Sequence, residues 1–141
     1  MKSEKFVSHL VRRISWDELD AKYLRSLVQI ARAEDIEGLG LASLPAAASD
    51  ITTMSLTPKT ETAARLVSRS AMTVCGMGLI PIILDVYSEA SDGERLEFTP
   101  KSEDGLRVEK GAVLGEFRGS ARVMLQAERI MLNFLQRLSG L

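Results

Sequence analysis

Apolar and polar positions along the chain divide it into five patterned stretches separated by turn residues. Residues 1 to 14 carry no clean period and read as an extension or short arm. Ser15 and Glu18 form a capping box. Behind them Trp16, Leu19, Tyr23, Leu24, Leu27, Ile30 and Ala31 recur on one face, opposite Lys22, Arg25, Gln29 and Arg32. This spacing predicts an amphipathic helix from about Trp16 to Ala33. From Glu34 to Pro58 the period dissolves into Gly38, Gly40, Pro45 and a run of small residues, which predicts a long loop. Thr62 to Arg69 alternates weakly and Met72 to Cys75 is a short apolar run, giving two strands or one bent strand. Leu79 to Tyr87 returns to helical spacing, with Pro81 acceptable because it lies in the first turn. Turns at Ser91-Asp92-Gly93, Asp104-Gly105 and Glu109-Lys110-Gly111 then punctuate strands at Arg95 to Thr99, Leu106 with Val108, and Ala112 to Phe117.

The last stretch, Ser120 to Leu141, is the most distinctive. At 100° per residue, Arg122, Gln126, Arg129, Asn133, Gln136 and Arg137 gather within an arc of roughly 100°. Val123, Met124, Leu125, Ala127, Ile130, Met131, Leu132, Phe134, Leu135 and Leu138 spread over roughly 220°, about twice the stripe of an ordinary surface helix. One neighbour cannot cover so wide an arc. The helix is therefore expected to pack on its own domain and on a further surface. Ser120 is the expected N-cap and Gly140 lies just past the end. The order helix, strands, helix, strand meander, helix predicts an α+β domain: a small, mostly antiparallel sheet with helices packed on it.

Composition narrows the class. With 141 residues the chain has room for one ordinary core. A hydrophobic fraction of 45% with 26% charged residues is globular, and a net charge of -1 points to neither nucleic acid nor an anionic membrane. The apolar run from Met77 to Leu84 holds Gly78 and Pro81 and is too short to span a bilayer. The single cysteine, Cys75, rules out an internal disulfide and a cysteine metal cage. These features together lead to the expectation of a cytoplasmic protein.

Several residues carry possible chemistry. Gly76-Met77-Gly78 lies between a strand and a helix, the setting of a phosphate-cradling glycine motif. Position 81 is proline and no P-loop lysine follows, so a turn that needs small residues is the favoured reading. His9 has no ligand-type neighbour and Cys75 no base, which favours a surface histidine and a buried, inert thiol. Glu34, Asp35 and Asp50 could bind a metal; capping of the flanking elements is favoured. Arg129, at the middle of the polar stripe between Gln126 and Asn133, can grip a carboxylate or phosphate with two parallel hydrogen bonds. From spacing alone, recognition and a solvated ion pair stand level. Glu128 lies inside the apolar arc and needs a cation or an interface if buried.

Two resemblances extend these readings. Residues 104–114 (DGLRVEKGAVL) resemble the hairpin of biotinyl and lipoyl carrier domains, but Lys110, between Glu109 and Gly111, is misplaced for a cofactor-bearing lysine. The string from Ala127 to Gly140, AERIMLNFLQRLSG, resembles the ERxxLN...LSG signature of quinolinate phosphoribosyltransferases, also called carboxylating nicotinate-nucleotide pyrophosphorylases. Ala33-Glu34-Asp35, Asp50-Ile51-Thr52-Thr53, the Gly76 turn and the stretch from Asp104 through Gly111 and Leu114 to Gly119 fall in that family's order. The link from Ile36 to Ser49 is longer and richer in alanine than the family's usual one.

The resemblance implies a hammerhead-like N-terminal domain, residues 1 to 141, ending where a C-terminal β/α barrel would begin. Such a barrel takes on the order of 200 residues. It further implies an enzyme that joins quinolinate to phosphoribose from phosphoribosyl pyrophosphate with Mg2+. The products are nicotinate mononucleotide, CO2 and pyrophosphate, in NAD biosynthesis. The resemblance implies a homodimer or higher homo-oligomer; in its head-to-tail dimer this domain covers the partner's barrel, and Arg129, by motif position, reaches the quinolinate carboxylates in the partner subunit's site. The catalytic, pyrophosphate-binding and metal residues would belong to the barrel. Two alternatives remain at this point: a non-catalytic binding or dimerisation module of the same fold, and a molybdenum-transport-associated relative.

Overall fold

The computed structural model describes residues 14–43 and 59–140. Among these residues three α-helices, α1 (Ala21–Glu37), α2 (Leu79–Glu89) and α3 (Ala121–Leu138), gather around five strands: β1 (Glu61–Val67), β2 (Met72–Thr73), β3 (Leu96–Pro100), β4 (Arg107–Val108) and β5 (Val113–Ser120). The α+β expectation holds. The meander does not. β5 lies between β1 and β3, antiparallel to both, while β4 leaves that sheet and pairs with β2. Just past the end of β1 the Ser68 amide donates to the Ala112 carbonyl at 3.0 Å and its own carbonyl accepts from Gly111 at 2.8 Å, which extends the β1–β5 pairing to the turn that follows β4.

The first helix also differs from its predicted bounds. The capping box of Ser15 and Glu18 forms, but it opens only a 3-10 turn at Trp16–Glu18 that ends with extended backbone at Leu19. Asp20 then caps a new helix, accepting from the amides of Lys22 at 2.8 Å and Tyr23 at 3.3 Å. Two adjacent cap sequences compete, and the second starts the long helix. This helix continues past Ala33 to Glu37, where Gly38 takes the left-handed conformation (φ 71°) that closes it. Val28 is its fully buried residue, with Leu24, Ala31 and Ile36 partly buried. Tyr23, Leu27 and Ile30 of the expected inner face are exposed.

The sheet offers its inner face to α3. Ala64, Phe117 and Phe98 lie side by side across β1, β5 and β3. The two phenylalanine rings lie tilted with centroids 4.7 Å apart. A side chain at Gly115 would collide with the Phe98 ring. At Gly119, with φ 131°, a Cβ would collide with the Arg95 carbonyl, the same group that accepts from the Ser120 amide at 2.8 Å. Both glycines are thus fixed by close backbone or ring approach. Tyr87, Phe117, Ile80, Ile83, Met131 and Val123 fill the centre, each contributing on the order of 2 kcal/mol.

The passage from β5 into α3 turns on one hydroxyl. Ser120 Oγ accepts from the Val123 amide at 3.2 Å and donates to Glu94 Oε2. That bond holds the Glu94 carboxyl below its ordinary range, helped by the charges of Arg122 and Lys59. A lowered carboxyl stabilises the fold above its unfolded value, and the contribution is lost as pH falls through the folded value. Ser120→Ala is expected to cost about 1 kcal/mol for the lost cap at neutral pH. Urea titrations from pH 7 to pH 3 should also show a shallower acid decline than in the parent chain.

Candidate functional site

Helix α3 buries Val123, Ala127, Ile130, Met131 and Leu135 in the domain core. Leu125 and Leu138 remain exposed, and Met124, Leu132 and Phe134 are half-buried, so the wide apolar arc is only partly used by the domain itself. The polar stripe divides as well. Gln126 is half-buried and accepts from Ser91 Oγ at 3.1 Å, tying α3 to the turn after α2. Arg122 is half-buried, whereas Arg129, Asn133, Gln136 and Arg137 face solvent. Arg129 places Nη1 3.1 Å from Asp35 Oδ1 in the last turn of α1, with its side chain 75% exposed. Glu128 is exposed and needs no buried cation.

At its C-terminal end α3 is locked to the loop that precedes α2. Ser139 Oγ accepts from the Cys75 amide at 3.1 Å and donates to the Cys75 carbonyl at 3.2 Å. Gly76 has φ 106°, and a Cβ there would lie 2.9 Å from Leu138 Cδ1 and 3.3 Å from Leu135 Cδ2. A Cβ on Gly78 would lie 2.6 Å from the Trp16 ring. Both glycines therefore serve packing. The Met77 amide between them donates to Asp104 Oδ1 at 2.9 Å, and the Trp16 indole N–H donates to Asp104 Oδ2. A carboxylate of the chain itself thus takes the position that an anion would hold in a phosphate-cradling motif.

The remaining candidates fall out accordingly. Asp35 ends α1 as the ion-pair partner of Arg129, while Gly38 supplies the C-cap, so the capping role expected for Asp35 is corrected. Asp50, the Asp50-Ile51-Thr52-Thr53 segment and His9 lie outside the described residues. Cys75 is half-buried, and burial with the nearby Asp104 charge raises its thiol above the ordinary range, which keeps it protonated. Lys110 is an exposed residue of the turn between β4 and β5. Among the described residues no three His, Cys, Asp or Glu side chains cluster as a metal site. No helix among them is long and apolar enough to cross a membrane. The sequence missed Asp104 and Asp35 as partners, because a contact between distant elements leaves no local period; only the Asp-Gly turn marked the first.

Fold and site define an α+β domain whose last helix, tied at both ends, carries Arg129 and Arg137 on its solvent face. Residues 50–139 match the family model described as quinolinate phosphoribosyl transferase, N-terminal domain. The chain belongs to that family. Over 119 residues it is 30% identical to quinolinate phosphoribosyltransferase [decarboxylating] 1 of Nicotiana glauca, covering 84% of this chain and 30% of that protein. A probable nicotinate-nucleotide pyrophosphorylase [carboxylating] of Bacillus subtilis is 29% identical over 92 residues, covering 65% of this chain and 30% of that protein. The nicotinate-nucleotide pyrophosphorylase structure from Francisella tularensis superposes with a TM-score of 0.67 at 28% identity, covering 92% of this chain and 40% of that one. The chain spans about 30% of the length of these curated relatives.

The junction at Asp104 makes its own test. Asp104→Ala leaves the Met77 amide and the Trp16 indole without an acceptor and is expected to destabilise the domain by about 2 to 3 kcal/mol. Trp16 is the sole tryptophan, so its emission should shift to the red in the folded variant, and an unshifted spectrum would contradict the bond.

Proposed function

We propose that this domain covers the substrate site of a quinolinate phosphoribosyltransferase, with Arg129 binding the quinolinate carboxylates in the site of a second protomer. The observation that carries this reading is the exposure of Arg129 on a helix otherwise fixed by core packing, in a chain of this family. A guanidinium is charged at any working pH and matches a carboxylate with paired donors, so it can hold a dicarboxylate in one orientation. Here Nη1 pairs with Asp35 while the side chain stays 75% exposed, which leaves room for a ligand at the guanidinium.

The reaction so served joins the pyridine nitrogen of quinolinate to C1 of phosphoribose as the bond from C1 to pyrophosphate breaks. The 2-carboxyl then leaves as CO2, a proton takes its place, and nicotinate mononucleotide is released toward NAD. Mg2+ would neutralise pyrophosphate charge when bound; no residues described here form a site for it, and this domain's part does not depend on it. Arg129 fixes the dicarboxylate so that its nitrogen faces the phosphoribosyl group. The barrel, as a further domain, supplies the reacting site, and the exposed Leu125, one turn from the arginine, meets the barrel or the second protomer. On this reading the domain alone has no transferase activity.

Arg129→Ala in the barrel-bearing enzyme is expected to weaken quinolinate binding by on the order of 2 to 4 kcal/mol, the loss of charge-assisted bonds to a carboxylate. Affinity for phosphoribosyl pyrophosphate should stay unchanged. Wild-type quinolinate kinetics in this variant would remove Arg129 from the site.

A further inference from the structure

Resting on Arg129 as the carboxylate-binding group, we propose that Asp35 is its positioning residue, an acid on α1 that holds the guanidinium of α3 in the orientation that receives the substrate. Arg129 Nη1 lies 3.1 Å from Asp35 Oδ1, while the side chain stays 75% exposed. One nitrogen is paired while the side chain stays open to solvent, the arrangement that lets an arginine be oriented and still bind.

The surrounding charges leave this pairing to Asp35 and not to its neighbours. Arg32, the other cation beside Asp35, is engaged elsewhere: its Nη1 lies 2.6 Å from Glu37 Oε1, and its guanidinium carbon stands 5.7 Å from the centre of the Tyr87 ring. Glu37 is thereby occupied by Arg32. Below them Tyr87 is fully buried with a hydroxyl that has no hydrogen-bond partner among the described residues. Burial, then the Asp35 charge, raises that phenol above its ordinary range, so Asp35 sits over a protonated, uncharged group. The acid is thus backed by the core of α1 and α2 and faces α3 with its charge. An unrestrained arginine on an exposed helix face would sample many rotamers, and ordering it on binding would weaken the complex.

An ion pair whose arginine is 75% exposed adds little to stability, which separates positioning from scaffolding. In the barrel-bearing enzyme Asp35→Asn is expected to raise the KM for quinolinate about tenfold, the scale on which misplacement of a binding group acts. The kcat and the KM for phosphoribosyl pyrophosphate should stay within about twofold, and the melting temperature within a few degrees. Asp35→Glu should recover most of the loss. In an Arg129→Ala background, Asp35→Asn should add nothing, because the residue acts through Arg129. An unchanged quinolinate KM in Asp35→Asn, beside a raised one in Arg129→Ala, overturns the positioning role and spares the reading of Arg129. Equal effects of Asp35→Asn in both backgrounds overturn it as well, since the acid would then act through the fold. An unchanged KM in Arg129→Ala overturns both.

Discussion

Two serine hydroxyls fix the ends of α3, and the presentation of everything on that helix depends on them. Ser120 caps the first turn and reaches back to Glu94, while Ser139 binds both backbone groups of Cys75. Between these points the core residues Val123, Ala127, Ile130, Met131 and Leu135 hold the helix on the domain. A helix pinned at each end and packed along its length can slide or rotate only by breaking bonds at both. Its exposed face is therefore a defined surface.

The glycines and Asp104 supply the complementary half of this constraint. Gly119 lets β5 meet the Arg95 carbonyl just before the helix begins, and Gly76 lets the loop before α2 approach Leu135 and Leu138 at its end. Asp104 closes the same loop by binding the Met77 amide and the Trp16 indole. The paired glycines at 76 and 78 look like a phosphate cradle in the sequence. In three dimensions one admits a helix end and the other an indole ring, and a carboxylate already occupies the amide between them.

Much of the architecture was legible because it rests on local chemistry. The period of Val123 to Leu138, the Ser120 cap and the turn glycines each act within a few residues, so helix α3 and the strands appear close to where their patterns place them. The first helix starts later than its pattern suggests because two cap sequences, at Ser15 and Asp20, follow each other closely, and burial of Val28 instead of Tyr23 and Ile30 depends on the packing of α2. The sheet order was illegible for a related reason: β4 joins β2 by pairing Met72 with Val108 and Thr73 with Arg107, a contact between distant stretches that leaves no local period. At the site, motif position singled out Arg129 while periodicity left it level with a solvated ion pair. Its bond to Asp35 joins two helices far apart in sequence and could be seen only in the fold.

Site-resolved hydrogen exchange on this chain tests most directly whether α3 is a fixed platform for Arg129. Amides from Ala127 to Leu135 are expected to exchange with the free energy of global unfolding obtained from urea titration. Exchange of those amides through a cheaper local opening, while β1 and β5 stay protected, would contradict the claim.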